Sequence, residues 1–329
     1  MIGEKILAKA IRVMSALILG AGLMSVTALP AAFGAYPDSP VEMTVLFGNG
    51  SSADLTARVL ADGMAKRLGV AVPVVNRTGG GGALGYTHVK TQKPDGYSLV
   101  WNSNSVSTAY HQGTMPFDYK AFDAVARVSL EVPAFAVRSD TPWKTLKDFM
   151  DAAKKNSGKM KIGISGKGSF THLASELMFA KVGVKVVYVP YVEGRATTEL
   201  LGGRIDGALQ WPSVFKSHAD AGDLRILAVT SQDRIPLLPN TPTAKEQGMD
   251  IDVVMWRGVA VPKGTPADVV AKLEKAIRET VASPEFAEAG KNIGFAPAFL
   301  AAKPFDALIV EDDLRIGKLI NELGMAKKN

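Results

Sequence analysis

The sequence predicts an α/β protein of two domains, each a mostly parallel sheet flanked by helices. Three observations carry that expectation. An apolar run from Met43 to Phe47 stops at Gly48-Asn49-Gly50, and Leu55, Val59, Leu60, Met64 and Leu68 then keep helical spacing. The same order of events recurs later: a short strand at Lys161-Ile162-Gly163-Ile164-Ser165, a loop at Gly166-Lys167-Gly168-Ser169, and a helix from Phe170 to Val182 with Leu173, Leu177, Met178 and Val182 on one face. The length, 329 residues at 47% hydrophobic and 21% charged, is enough for two cores.

The first 34 residues form a separate unit. Lys5, Lys9 and Arg12 precede an apolar run from Val13 to Leu29, and Pro30-Ala31-Ala32-Phe33-Gly34-Ala35 offers small residues for cleavage, so a signal peptide is expected, cut after Gly34. Gly20, Gly22, Ser25 and Thr27 interrupt the run and argue against an uncleaved anchor. The mature protein is expected to be soluble and exported. With no cysteine in the chain there is neither a lipid-anchored N-terminus nor a disulfide nor thiol chemistry. The formal net charge of +6 falls by two, to +4, once Lys5, Lys9, Arg12 and Glu4 leave with the signal. The remaining charges are interspersed, which argues against nucleic acid as a partner.

Beyond the opening strand and helix, Val72 to Val75 is a second strand, and Asn76-Arg77-Thr78-Gly79-Gly80-Gly81-Gly82-Ala83-Leu84-Gly85 leads into another helix. Four consecutive glycines remove every Cβ, so the loop serves either as a flexible connector or as a surface that a ligand or backbone approaches closely. Pro94-Asp95-Gly96 turns into a third strand, Tyr97 to Trp101, ending at Asn102-Ser103-Asn104-Ser105. Alternating strands and helices imply an open, largely parallel sheet, whose ligands bind beyond the carboxyl ends of the strands. Ala124–Leu130 and Pro133–Val137 carry the chain into the second domain, with a helix from Leu146 to Ala153 ahead of the second strand–loop–helix unit. Strands at 184–189, 205–210 and 224–230 alternate with helices, one starting after Arg195 and one at 211–221; a polar connection spans 231–249. Residues 251–261 return to the first domain, whose last helix runs from Pro304 to Leu323. The expected domains are 35–135 with 258–329, and 136–257.

Each strand–turn–helix unit offers free backbone N–H groups and the positive end of a helix dipole, a combination that favours a small anion. Most such units, taken singly, bind nothing; the repetition argues for a ligand. The candidate ligand-binding residues are therefore Phe47, Gly48, Asn49, Gly50, Ser51 and Ser52 in the first unit, and Ser165, Gly166, Gly168, Ser169, Thr171 and His172 in the second. Trp101, Asn102 and Ser103 join them at a strand end. Trp101 and Tyr191 fit equally well as apolar walls or as core. Gly80 to Gly85 is a poor dinucleotide fingerprint, and Gly166-Lys167-Gly168-Ser169 fails the phosphate-loop pattern at both its first glycine and its hydroxyl. Ser213-Val214-Phe215-Lys216 has the S-x-x-K form without its companion motifs. The four histidines, His88, His111, His172 and His218, have no zinc spacing and no base–carboxylate arrangement, so no metal, cofactor or catalysis is expected.

In these residues the chain resembles the periplasmic solute receptors of the tripartite tricarboxylate transporter system, the Bug receptor family. The resemblance covers essentially the whole mature sequence. It rests on Phe47 to Arg58, Asn76-Arg77 through Gly85, Pro94-Asp95-Gly96-Tyr97, Gly168 to Leu177, Val189-Pro190-Tyr191, Leu200 to Asp206, Leu227-Ala228-Val229-Thr230 and Pro262-Lys263-Gly264-Thr265-Pro266. It implies a two-domain Venus flytrap, expected as a monomer, that closes on a small carboxylate and delivers it to the large and small subunits of a membrane permease. It further implies that backbone amides and hydroxyls of the two turns hold the carboxylate. Asp54 matches an aspartate of the family, and serves as a helix cap or a ligand contact. Two departures stand out: Gly50-Ser51-Ser52 replaces a glycine run, and Val192-Glu193-Gly194-Arg195 replaces lysine and glycines after Tyr191. Arg195 is either a solvated helix-start residue paired with Glu193 or Glu199, or a bidentate grip on the far carboxylate of a diacid. Open alternatives are an aromatic acid or amino acid as ligand, and a sensor that signals to a membrane kinase.

Overall fold

The computed structural model describes residues 36–191 and 195–326. The expected signal peptide and Val192-Glu193-Gly194 lie outside the described residues. The chain opens with β1 (Glu42–Val45), α1 (Ser52–Leu68), β2 (Val74–Asn76), a 3-10 turn at Gly80–Gly82, α2 (Ala83–Lys90), β3 (Ser98–Ser103), α3 (Ser105–His111) and β4 (Phe122–Glu131). It continues with β5 (Ala134–Arg138), α4 (Leu146–Lys155), β6 (Lys161–Ile164), α5 (Phe170–Lys181), β7 (Val187–Pro190), α6 (Arg195–Leu201), β8 (Gly207–Gln210), α7 (Pro212–Asp220) and β9 (Leu224–Val229). It ends with β10 (Met255–Pro262), α8 (Ala267–Val281), α9 (Pro284–Ile293), β11 (Phe295–Ala301) and α10 (Ala302–Glu322).

Two sheets organise these elements, in the orders β11-β4-β10-β3-β1-β2 and β7-β6-β8-β5-β9. β1 pairs parallel with β2 and β3, and β6 with β7 and β8, as strand–helix–strand crossovers require. Both sheets are mixed rather than uniformly parallel. β5, the first strand after the crossing, pairs antiparallel with β8 and β9, and β10, the first strand after the return, pairs antiparallel with β3 and β4. A strand that enters a sheet without a preceding crossover helix is free to run either way. Sequence periodicity alone missed α3, α9 and β11, which are short or only partly apolar.

The chain crosses from one sheet to the other at Val132–Pro133 and returns through residues 230–254. Thr230, fully buried, ties the two crossings: its N–H and hydroxyl donate to the Pro133 carbonyl at 3.0 and 3.2 Å. The hydroxyl also lies 2.7 Å from the Val253 carbonyl, and Val253 N–H donates to the Thr230 carbonyl at 3.0 Å. Each lobe has its own core. Phe135, Phe149 and Phe179 meet edge to face in the second, with Phe135 centroids 4.8 and 6.1 Å from the others. Leu46, Tyr86, Trp256 and Phe305 pack in the first. The C-terminal helix α10 joins the lobes, because its Ile316 and Ile320 pack on Leu173 of α5. Among the described residues no helix is long and apolar enough to cross a membrane.

Candidate binding cleft

The first wall of the cleft is the turn from β1 into α1. Gly50 takes φ of 73°, a left-handed conformation that glycine adopts without strain, and this turn lets Ser51 cap α1. The Ser51 hydroxyl accepts from Asp54 N–H at 3.3 Å. Asp54, buried at the helix start, accepts from Gly50 N–H at 3.0 Å, from Arg58 Nε at 3.1 Å and from Asn76 Nδ2 at 3.0 Å. Burial raises its pKa, but the bonds from Arg58, Gly50 and Asn76 outweigh that and hold the carboxyl below its ordinary value. Asn76 also donates to the Phe47 carbonyl at 2.7 Å, so one charged network pins the turn from both sides.

The second wall is the turn from β6 into α5. Ser169 caps α5 by accepting from His172 N–H at 3.3 Å, and its hydroxyl lies 3.1 Å from that of Thr171. Thr171 accepts from Ser165 N–H at 2.9 Å, and the Ser165 hydroxyl donates to Gln210 Oε1 at 2.8 Å. Gly168 N–H points to His172 Nδ1 at 3.4 Å. That imidazole is buried, and desolvation, helped by the positive charge of Lys167, pushes its pKa down to about 4. The hydrogen bonds that hold the turn therefore run between neutral groups.

Both turns line one cleft, whose empty volume including its mouth is about 540 Å³. Ser52 and Ala53 are the first two residues of α1, Phe170 and Thr171 those of α5, and all four are in the lining. Their amides have no intrahelical acceptor, because the first turn of any helix leaves them free. The two helix dipoles thus converge on one space from opposite lobes. Phe47, Tyr191, Trp211, Val214 and Met255 supply apolar surface, and Phe170 stacks on Trp211 at 14° and 6.4 Å between centroids.

Of the residues expected at the site, Phe47, Ser51, Ser52, Ser165, Ser169, Thr171 and Tyr191 line this cleft. Gly48 and Gly166 line an adjoining cavity of about 680 Å³ that shares Phe47 and Ser165 with it and is walled by Thr78 to Gly82. There the glycine run meets the second lobe directly: a Cβ on Gly81 would lie 2.7 Å from the Gly168 carbonyl carbon and 2.9 Å from Ser169 N. Close approach of two backbones accounts for the loop, in place of a flexible connector.

The other expected residues stand away from the lining. Asn49 and Gly50 are exposed. Asp54 is consumed by its cap network, His172 lies behind the second turn, and Gly168 within that turn faces Thr114. Trp101 is buried in the first sheet. Asn102 accepts from the Tyr86 hydroxyl at 2.7 Å, and Ser103 from Ser105 N–H at 3.2 Å, so both serve the strand end rather than the cleft surface. Arg195 projects to solvent, its side chain 64% exposed and 3.4 Å from Glu199, the i+4 neighbour that holds it. This matches the reading of Arg195 as a solvated helix-start residue paired with Glu199, one of the two that the sequence left open.

Three polar lining residues escaped the sequence reading: Ser105, Gln210 and Arg257. Ser105 lies two residues past the expected strand-end contacts. Gln210 closes the apolar run Gly207-Ala208-Leu209, and Arg257 is the one cation within the run from Val253 to Val261. A lone polar side chain inside a buried strand was the signal available. Arg257 forms a bidentate pair with Glu131, Nε to Oε1 at 2.5 Å and Nη2 to Oε2 at 2.8 Å, with both side chains 1% exposed. Ser52 donates to Glu131 Oε2 at 2.9 Å, linking the pair to α1. A register shift between Arg257 and Gly258 marks a bulge, a device that re-aims side chains at site edges.

Two lobes of mixed sheet joined by two crossings, with helix N-termini facing a shared cleft, define a periplasmic binding protein. The sequence model described as tripartite tricarboxylate transporter family receptor matches residues 56–325. The chain is 33% identical over 320 residues to a UPF0065 protein from the TAR-I ttuE-ttuC' intergenic region of Agrobacterium vitis, covering 92% of this chain and 90% of that one. It is similar to the solved structure of the periplasmic binding protein BugD, with a TM-score of 0.84, 31% identity, and coverage of 89% of this chain and 100% of BugD. It is also similar to an R. palustris protein solved with adipate, with a TM-score of 0.84, 25% identity, and coverage of 88% and 99%. The chain belongs to the tripartite tricarboxylate transporter receptor family, whose members are solute-binding receptors rather than enzymes.

Proposed function

We propose that this chain, once its signal peptide at 1–34 is removed, captures a small dicarboxylate in the periplasm and delivers it to the large and small subunits of a membrane permease. The observation that carries the carboxylate reading is the set of four free amides, Ser52, Ala53, Phe170 and Thr171, brought to one cleft by two helices from different lobes. A carboxylate accepts about four hydrogen bonds, so these four donors match one such group. The apolar surface of Phe47, Phe170, Trp211 and Met255 suits an aliphatic spacer, in keeping with the adipate held by the R. palustris neighbour.

Because contacts come from both lobes, ligand favours the closed arrangement by its differential affinity, with Val132–Pro133 and residues 230–254 as the hinge. The test is a thermal-shift screen against mono-, di- and tricarboxylates, aromatic acids, amino acids and sugars. Ligand at ~100 times its Kd adds about 2.7 kcal/mol, a shift of several degrees. Stabilisation by diacids is the expected result. Stabilisation by sugars or amino acids alone would overturn the carboxylate reading.

A further inference from the structure

The cleft holds more hydrogen-bond donors than one carboxylate can use. Besides the four helix amides, Ser105 Oγ and Gln210 Nε2 are buried in the lining and have no partner among the described residues. Ser105 is fully buried and Gln210 is 5% exposed, so an unsatisfied donor in either is costly unless something in the cleft accepts from it. Gln210 is also held in place, since its Oε1 accepts from Ser165. Arg257 adds a charged donor to the same lining. Its pair with Glu131 uses the side-on face, Nε and Nη2, and leaves Nη1 outside the pair in a residue that lines the cleft. A guanidinium has a second, end-on face formed by Nη1 and Nη2 that takes another carboxylate in the same plane.

The three groups are neighbours through the fold. Arg257 pairs in register with Ser103, two residues before Ser105, and its guanidinium lies 5.3 Å from the Trp211 ring centroid, beside Gln210. Glu131 balances Arg257 when the cleft holds no anion, so the cation is kept in a buried position without a ligand. Its own charge is met in part by the Ser52 hydroxyl at 2.9 Å and Thr56 Oγ1 at 3.4 Å, which leaves Arg257 able to share its charge with a second anion.

We propose that Arg257, with Ser105 and Gln210, receives the second carboxylate of the ligand and makes the receptor selective for diacids over monoacids of equal length. Arg257 thereby takes the role that was one of two alternatives for Arg195. The inference rests on the carboxylate reading above and deepens it.

The test is calorimetric titration of the protein purified from the periplasm with a series of four- to eight-carbon diacids. Each diacid is paired with its monoamide and with the monoacid of equal length, as adipate, adipamate and hexanoate. Unmodified protein should bind the best diacid at least tenfold more tightly than its monoamide and monoacid. The double variant Arg257→Gln/Glu131→Gln removes both charges together and leaves no unpaired buried ion; the diacid preference should fall to threefold or less. Arg257→Lys keeps the charge without the fork, and Gln210→Ala removes one neutral donor; each should lower the preference several-fold, and both remain informative if the double variant fails to fold. A diacid preference that survives in folded Arg257 variants would overturn the assignment, as would monoamides binding the unmodified protein as well as diacids do. Absence of binding by any acid to the unmodified protein would instead overturn the carboxylate reading, and this inference with it, before any variant is made.

Discussion

The two turns that face each other across the cleft do the same job with different chemistry. Around α1 the cap is pinned by charge: Asp54 gathers Gly50, Arg58 and Asn76, and Asn76 reaches on to Phe47. Around α5 the equivalent positions are held by hydroxyls, an amide and a neutral imidazole, through Ser165, Thr171, Gln210 and His172. On the proposed carboxylate function, these helix N-termini need their loops fixed without placing a free negative charge beside the ligand. In the first turn this is met by enclosing the carboxylate within three donors, and in the second by using no carboxylate. The two walls should therefore respond differently to mutation and to pH.

The largest contrast is expected from Asp54→Ala, which strands a buried set of donors and should cost about 2–3 kcal/mol, seen as a lower denaturant midpoint with an unchanged slope. A loss below about 0.5 kcal/mol would mean that the network is ornamental. The pH response belongs to the second turn. His172 has a folded pKa near 4 against an ordinary value of 6.5, so the unfolded chain takes up a proton that the folded chain refuses. Its effect is absent above about pH 6.5, grows as pH falls, and levels off once the folded imidazole protonates near pH 4, with a total on the order of 3 kcal/mol. Melting temperature should drop across that window, and His172→Asn, which keeps an acceptor near Nδ1, should flatten the drop. Glu176, 3.8 Å from His172 Nε2, and the Tyr188 hydroxyl that donates to Glu176 at 3.1 Å share this pocket. An unchanged profile in the variant would move the pH response elsewhere.

Gly81→Ala probes the contact between the lobes. The new methyl meets the Gly168 backbone, and φ of 68° costs a non-glycine residue roughly 1–2 kcal/mol. Because the clash exists only where the lobes touch, ligand affinity should fall by about tenfold, beyond any loss of stability. Stability loss without an affinity change would show that the lobes need not meet to hold ligand. The smallest effects are expected at the caps, where Ser51→Ala and Ser169→Ala should each cost about 1 kcal/mol. Near-equal losses would show that the two caps differ in their surroundings and not in their own hydrogen bonds.

Much of the first lobe's order was legible because Met43–Phe47 and Leu55–Leu68 keep strand and helix periods, and the caps Ser51 and Ser169 sit where a glycine turn meets an apolar stripe. Arg195 stayed open between two readings because a cation near Tyr191 looks available in one dimension, whereas in the helix Glu199 one turn away pairs with it. Arg257 and Gln210 were overlooked for the opposite reason. They sit in buried strands, where local pattern argues for core, and only the crossing between lobes turns those strand ends toward a shared space.

By itself the sequence determined the alternation of strands and helices, the two capped helix starts and the kinship with carboxylate receptors. These depend on neighbours a few residues apart. Only the tertiary structure decided which donors share one cleft, that Asp54 is spent on its own turn, and that Gly81 touches Gly168. Those facts depend on pairings between residues far apart in the chain, and hydrophobic burial, which drives folding, is set by area and not by which distant partner supplies it.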